Sequence, residues 1–306
     1  MNGLGAALAA LVVLLGACSA PVTTSPAAPS TGVVATTVPS LDRTATAAPR
    51  PPTVVPSAAP ALPHVFVIVM ENTGLARAMR SGAIAALAAR SLSATSYHAV
   101  SRPSLPNYLA MTSGSTWDIS DDSYHPLPSG GIGTQLTAAG IPWRAYMEGM
   151  TAAGCMRSPY PYALKHNPFA YYGGACPDNV VPFEALDADL AGPTPQFVWI
   201  TPGLCHDGHD CPIDEAAAWL DGLVGKIAAS SAWVRRGMLL IAWDEGDGGD
   251  ANLVPFLAMT SGGRSGEITA PYDHYSLLAT IEDLYRVPRL GEAKNARPIA
   301  ELLGSD

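Results

Sequence analysis

The seven residues His64-Val-Phe-Val-Ile-Val-Met70 form a continuous β-rich run, apolar throughout after His64. A strand with no polar face belongs in a sheet that is covered on both sides. Strand-like runs recur at Trp143 to Met147, Gln196 to Thr201, Gly237 to Trp243 and Val254 to Thr260. Helix-like stretches at Ala76 to Ser91, Ile213 to Ala229 and Asp273 to Arg286 fall between or after them. This alternation predicts an α/β/α sandwich with a central, mostly parallel sheet over residues 64–304. The chain has 306 residues, 48% of them hydrophobic and 14% charged, which is enough apolar material for one large core. Residues 149–193 interrupt the pattern with Gly, Pro, Tyr, Asn and two cysteines, and read as an insertion or lid.

Ahead of this region, Leu4 to Gly16 is an apolar run too short to span a bilayer comfortably and long enough for a signal-peptide core. Leu15-Gly-Ala-Cys18 resembles a bacterial lipobox, which makes 1–17 the signal peptide and Cys18 the lipidated residue. Met1 to Gly5 lacks the usual Lys or Arg, so an ordinary secretory signal is the alternative. Residues 18–63, rich in Ala, Pro, Ser, Thr and Val, read as a disordered tether. Setting Cys18 aside leaves Cys155, Cys176, Cys205 and Cys211, an even set in an exported chain. Of three connectivities, adjacent pairing as Cys155–Cys176 and Cys205–Cys211 closes the shortest loops and is the one expected. A cysteine zinc site has no Cys-x-x-Cys spacing to support it. The expected location is outside the cytoplasm, lipid-anchored on the outer face of the membrane or secreted. A net charge of −9 and scattered basic residues argue against nucleic acid as a partner and leave the lipid anchor as the membrane contact.

The chemistry begins at Ser101-Arg-Pro-Ser-Leu-Pro-Asn-Tyr108, where an extended run turns into a helix. Ser104 falls at the helix N-terminus, where free amides and the helix dipole favour an anion. Taken alone, Ser104 reads more simply as a helix cap. Open α/β sheets, however, bind ligands at the carboxyl ends of their strands. Glu71-Asn72 follows the first strand, Asp207 and His209 follow the strand ending near Thr201, Asp244-Glu245 follows Trp243, and His274 opens the last helix. Four segments thus deliver acids, an amide and imidazoles to the edge that carries Ser104. Glu71, Asn72, Asp244 and Glu245 are hard oxygen ligands suited to Mg²⁺, Ca²⁺ or Mn²⁺, while histidines would allow Zn²⁺. A divalent ion there would hold the Ser104 hydroxyl as alkoxide. His166, in Lys165-His-Asn-Pro-Phe169, is placed to reach substrate or to be a structural loop histidine.

These residues resemble the bacterial phosphoesterases that include secreted acid phosphatases and phospholipases C, within the alkaline phosphatase-like superfamily. The resemblance rests on Met70-Glu-Asn72, Pro103 to Tyr108, Lys165 to Phe169, Thr201 to Cys211, Trp243 to Gly248 and Asp273-His-Tyr275, in family order. The short domain is most similar to the mycobacterial type of secreted acid phosphatase. It implies Ser104 as nucleophile, with Glu71, Asn72, Asp244 and Glu245 holding a metal beside it, one ion in preference to two. It further implies that His166, His209 and His274 contact phosphate or assist the leaving group; a second ion, where bound, would be held by Asp207, His209 and His274, and Asp207 is otherwise a candidate substrate contact. Arg102 stands where a His is common in the family and, with Asn107, is a candidate substrate contact. The function expected is a metal-dependent phosphomonoesterase acting through a phosphoserine intermediate on a small phosphoester or phospholipid headgroup. A phospholipase C-type phosphodiesterase is the first alternative, and a non-catalytic ligand-binding lipoprotein the second.

Overall fold

The computed structural model describes residues 62–157 and 159–303. The signal segment, Cys18 and all but the last two residues of the tether lie outside the described residues. Ten strands are present among them: β1 (His64–Met70), β2 (Leu92–Ala94), β3 (Tyr97–His98), β4 (Trp143–Met147), β5 (Val180–Pro182), β6 (Phe197–Thr201), β7 (Gly237–Trp243), β8 (Phe256–Thr260), β9 (Gly266–Ile268) and β10 (Tyr272–Asp273). Eight of them form one sheet in the order β5-β4-β6-β1-β7-β8-β2-β9, and β3 pairs with β10 separately. β1 lies inside the sheet, parallel to both β6 and β7. Six of its seven residues are buried and all seven of β7 are, as a strand covered on both faces requires. Only β8 runs antiparallel to its neighbours β7 and β2, so the expected mostly parallel sheet is present.

The helices are α1 (Leu75–Ala78), α2 (Gly82–Ala89), α3 (Ser104–Ser113), α4 (Gly131–Ala138), α5 (Leu186–Ala191), α6 (Ile213–Ala228), α7 (Ser231–Val234) and α8 (His274–Tyr285). The single helix expected over Ala76 to Ser91 is two, α1 and α2. Gly82, a poor helix former, opens the second of them, and Ser81 before it gives its hydroxyl to Asp214 Oδ1 at 2.7 Å. Every residue of α3 is buried, and this helix packs against α8. Gly114 ends α3 with φ +70°, and a Cβ there would come 2.5 Å from the Leu290 carbonyl oxygen, so only glycine fits the junction.

The segment 149–193 is not all insertion. Its last part supplies β5, which pairs with β4 at the edge of the main sheet, and α5. Pro182 closes β5 on an edge, where its missing N–H costs no ladder bond. The excursion proper therefore stops before Val180. It is closed by the disulfide Cys155–Cys176, and the loop after β6 by Cys205–Cys211, the pairing expected from the sequence. Among the described residues no helix is long and apolar enough to cross a membrane.

Candidate active site

The register of the central strands sets the acids side by side. Met70 of β1 lies opposite Trp243 of β7, so both strands end together and the next residues are Glu71 and Asp244. The β1–β7 ladder continues one step further, with the Asp244 N–H donating to the Met70 carbonyl at 2.9 Å, and the Glu71 N–H donates to the carbonyl of Asp207, in the loop after β6, at 2.9 Å. Main-chain bonds thus gather Glu71, Asp207 and Asp244, and all three side chains are fully buried. Asn72, in the left-handed region at φ +48°, donates its N–H to Asp244 Oδ1 at 3.1 Å. Asn tolerates this conformation better than most residues.

Ser104 is the first residue of α3 and 1% exposed. Its Oγ donates to Glu71 Oε2 at 3.1 Å, and the Tyr108 hydroxyl, one turn along, donates to Glu71 Oε1 at 2.7 Å. The helix end offers an anion less than the sequence suggested. The Leu105 N–H is taken by Asp122 Oδ1 at 3.0 Å and Pro106 has no N–H, so of the first three residues only Ser104 keeps its amide for phosphate.

His166 lies deep in the cluster. Its ring stacks on Tyr108, with centroids 5.2 Å apart and planes 9° from parallel. Its Nε2 lies 3.2 Å from Glu71 Oε1 and its Nδ1 lies 3.3 Å from Asp207 Oδ2. At 1% exposure it faces the acids and not an open substrate space. Burial, with Lys165 and His209 nearby, pushes its pKa well below the ordinary histidine value. Burial likewise raises Glu71, which also feels Asp244 and Asp207, and raises Asp244, which feels Glu245. Asp207 is pushed up to about 7, chiefly by burial.

This acid-rich pocket fits a divalent cation. Asp244 Oδ2, Asp207 Oδ2, Glu245 Oε2 and both ring nitrogens of His166 are buried without a hydrogen-bond partner. Such orphans are uncommon in folded proteins, and a cation is the group that carboxylate oxygens and neutral imidazole nitrogens would share. Glu71, His166 and Asp207 present ligand atoms within 4.8 Å of one another. Of the expected ligand set, Glu71, Ser104 and Asp244 come together. Asn72 meets Asp244 through its backbone, and Glu245 lies 3.7 Å from Arg102 Nη1. His166 joins the ligand candidates, a role the sequence reading did not give it, and Asp207, expected as a ligand only to a second ion, lies within the same cluster.

Three other expected contacts are differently employed. Asn107, a candidate substrate contact, accepts from the Val100 and Ser101 amides at 3.1 and 2.9 Å and donates to the Ser101 and Pro103 carbonyls at 3.0 and 3.1 Å. Its amide is fully occupied in tying down the turn ahead of Ser104. Arg102 donates to the Gly246 carbonyl at 2.6 Å, which ties this turn to the loop after β7. His274 is buried, with Nδ1 accepting from the Tyr97 hydroxyl at 3.0 Å and Nε2 donating to the Asp244 carbonyl at 2.7 Å. Burial lowers its pKa to about 4, so it stays neutral and orients Asp244.

His209 remains accessible. Its Nδ1 donates to Asp210 Oδ1 at 2.7 Å, and its Nε2 accepts from Lys165 Nζ at 3.3 Å. Lys165 also binds Asp122 Oδ2 at 2.9 Å, which keeps its pKa raised despite burial. Asp122, Lys165, Tyr108 and Tyr97 were not singled out from the sequence. Lys165 and Tyr108 lie inside the quoted motifs, whereas Asp122 and Tyr97 carry no motif of their own.

A mostly parallel sheet whose carboxyl edge gathers carboxylates in front of a buried serine at a helix start defines an alkaline phosphatase-like fold. Solved structures support the fold: a protein in the alkaline phosphatase superfamily from Vibrio parahaemolyticus aligns with a TM-score of 0.56 at 12% identity, covering 74% of this chain and 67% of that one. The soluble domain of lipooligosaccharide phosphoethanolamine transferase A from Neisseria meningitidis aligns with a TM-score of 0.51 at 11% identity, covering 79% and 94%. The chain belongs to the Phosphoesterase family, whose model matches residues 82–288. It is 30% identical over 258 residues to a phosphatidylinositol-3-phosphatase of Mycobacterium tuberculosis, covering 81% of this chain and 85% of that protein. It is 29% identical over 243 residues to the phosphate-repressible acid phosphatase of Penicillium chrysogenum, covering 73% of this chain and 59% of that longer protein. The chain is thus an acid phosphatase-like phosphoric ester hydrolase, and not the non-catalytic binding protein kept as an alternative.

Proposed function

We propose that the protein hydrolyses phosphomonoesters outside the cytoplasm through a phosphoserine intermediate at Ser104, with a divalent cation bound. The observation that carries this reading is the Ser104 Oγ bonded to Glu71 among buried carboxylates, three of whose oxygens have no hydrogen-bond partner. Glu71, Asp244, Ser104, His166 and Asp207 would hold the cation, with Asn72 and Glu245 beside them. When bound, it lowers the pKa of the serine hydroxyl and offsets charge on the phosphoryl oxygens.

The chain's own groups do the rest. Glu71 holds the hydroxyl proton of Ser104 and Tyr108 fixes Glu71, so the serine oxygen is aimed before substrate arrives. Asn107 and Arg102 fix the turn that carries it. The Ser104 N–H is the amide free to meet a phosphoryl oxygen. His209 Nε2, which accepts from Lys165 Nζ at the open side, would take the Lys165 proton and pass it to the departing alkoxide, and then take one from the water that frees the serine. His274 and His166 stay inside, one orienting Asp244 and the other between Glu71 and Asp207.

The relative's name makes a phosphorylated inositol headgroup a candidate substrate. The two disulfides support an extracytoplasmic location, with lipidation at Cys18 as the means of retention. The test is Ser104→Ala assayed on p-nitrophenyl phosphate with divalent cation. Loss of turnover with an unchanged circular dichroism spectrum is expected, and retained turnover removes the mechanism. Bis-p-nitrophenyl phosphate in the same assay separates the phosphodiesterase reading.

A further inference from the structure

A cavity of about 420 Å³ opens beside the site, lined by Tyr160, Tyr162, Tyr171, Asp122, Lys165 and His209, with three small or aliphatic residues. Two of its lining residues adjoin the reacting centre. Asp122 binds the amide of Leu105, the residue after the nucleophile. The His209 ring lies 5.8 Å from that of His166, which itself lies 3.2 Å from Glu71.

The aromatic wall is built into the fold. Tyr160, Tyr162, Lys165 and Tyr171 all belong to the loop closed by Cys155–Cys176. Pro161, between the first two tyrosines, sits where only glycines allow it. A Cβ on Gly149 would lie 2.7 Å from Pro161 Cδ, and one on Gly203 would lie 2.8 Å from Pro161 Cβ. The Leu204 N–H bonds the Pro161 carbonyl at 2.9 Å. Tyr162 spends its hydroxyl on the Cys155 carbonyl and the Asn167 amide, which leaves its ring as its contribution to the cavity. Tyr160 stands at the rim, 66% exposed.

Apolar tyrosine faces on one side and a carboxylate, an ammonium and an imidazole on the other suit a ligand with a flat C–H face and hydroxyls on its edge. An unsubstituted chain would leave the polar side unmatched, and its volume calls for a ring or more. Resting on the phosphomonoesterase reading above, we propose that this cavity is the leaving-group subsite and takes a ring polyol, a sugar or cyclitol bearing the phosphate. Its ring lies on the tyrosine wall and its hydroxyls meet Asp122, Lys165 and His209. Tyr160 and Ala163 then determine specificity, without a part in the bond-breaking step.

The experiment compares myo-inositol 3-phosphate, dioctanoyl phosphatidylinositol 3-phosphate and glycerol 2-phosphate in the wild type, Tyr160→Ala and Ala163→Phe. Tyr160 is exposed enough that its truncation leaves the fold standing, and Ala163→Phe fills the cavity from its wall. The wild type should favour both ring substrates by kcat/KM over glycerol 2-phosphate. Each substitution should reduce that selectivity about tenfold, mostly through KM. An equal loss on all three substrates, or a loss on the lipid alone, overturns the proposal. So does a wild type that does not distinguish ring from glycerol. Calorimetric binding of myo-inositol 3-phosphate to Ser104→Ala, weakened about tenfold by adding Tyr160→Ala, reads the subsite without turnover. Binding with this dependence in a protein that turns over none of the three would refute the phosphomonoesterase reading and not the subsite. Binding indifferent to Tyr160 refutes the subsite.

Discussion

Asn107 offers a direct test of whether the motif around Ser104 binds substrate or holds a shape. Its side chain makes four hydrogen bonds to the backbone of residues 100–103. A net contribution of about 1 kcal/mol for each gives about 4 kcal/mol for Asn107→Ala. The half-buried positions of Val100 and Ser101 let water replace part of this, so a loss of about 2–4 kcal/mol is expected. Asn107→Asp keeps the two acceptor bonds but turns a donor into an anionic oxygen against the Ser101 and Pro103 carbonyls. It should therefore destabilise by at least about 2 kcal/mol, despite matching the shape of Asn. Urea unfolding gives these values, and kinetics on p-nitrophenyl phosphate gives the second readout. With the turn loosened, kcat should fall while KM changes little, since no part of Asn107 is free to touch phosphate. If Asn107→Ala keeps full stability and raises KM alone, the residue is a substrate contact and the reasoning fails.

Chelating divalent cations should abolish activity and lower the melting temperature, and the drop should be larger at pH 8 than at pH 5. The folded-state pKa values of Glu71, Asp207 and Asp244 are raised, so at pH 5 protons replace the cation and at pH 8 the bare charges repel; a pH-independent shift would contradict this. Glu282 is buried in α8 and pushed up to about 8, chiefly by burial. An acid with a raised folded-state pKa costs stability as pH rises from the ordinary carboxylate range through about 8. Glu282→Gln, which can still accept the Leu290 N–H, should therefore raise the melting temperature at pH 8 and leave it unchanged at pH 4. His274→Asn should lower kcat through a misplaced Asp244 yet leave the pKa values of the pH–rate profile where they were. Loss of a limb from that profile would instead make His274 an acid–base group.

The long buried strands were legible because their pattern is extreme: every residue of β7 is apolar, and every residue of β1 after His64. The bounds of β1 and β7 match the runs residue for residue. β5 and β9, of three residues each, carry too few positions for any periodicity, and Pro182 argued against a strand until its edge position was known. At the site, Ser104, Glu71 and Asp244 followed from strand ends, which is a rule about chain position. What each side chain touches is set by the packed fold. Asn107 and His274 are spent on backbone groups, and Asp122 serves α3 from a loop seventeen residues after Leu105. No local signal distinguishes those outcomes.

Because the Asp244 amide continues the ladder between β1 and β7, the reacting centre is indexed to strand register. A slip of β7 against β1 by one residue would turn every β7 side chain to the opposite face and carry the Asp244 carboxylate away from Ser104. Such a misregistered chain could still bury an apolar strand and still look folded by bulk spectroscopy. Turnover is therefore the sharper gauge of correct assembly, since chemistry disappears with the first misaligned rung.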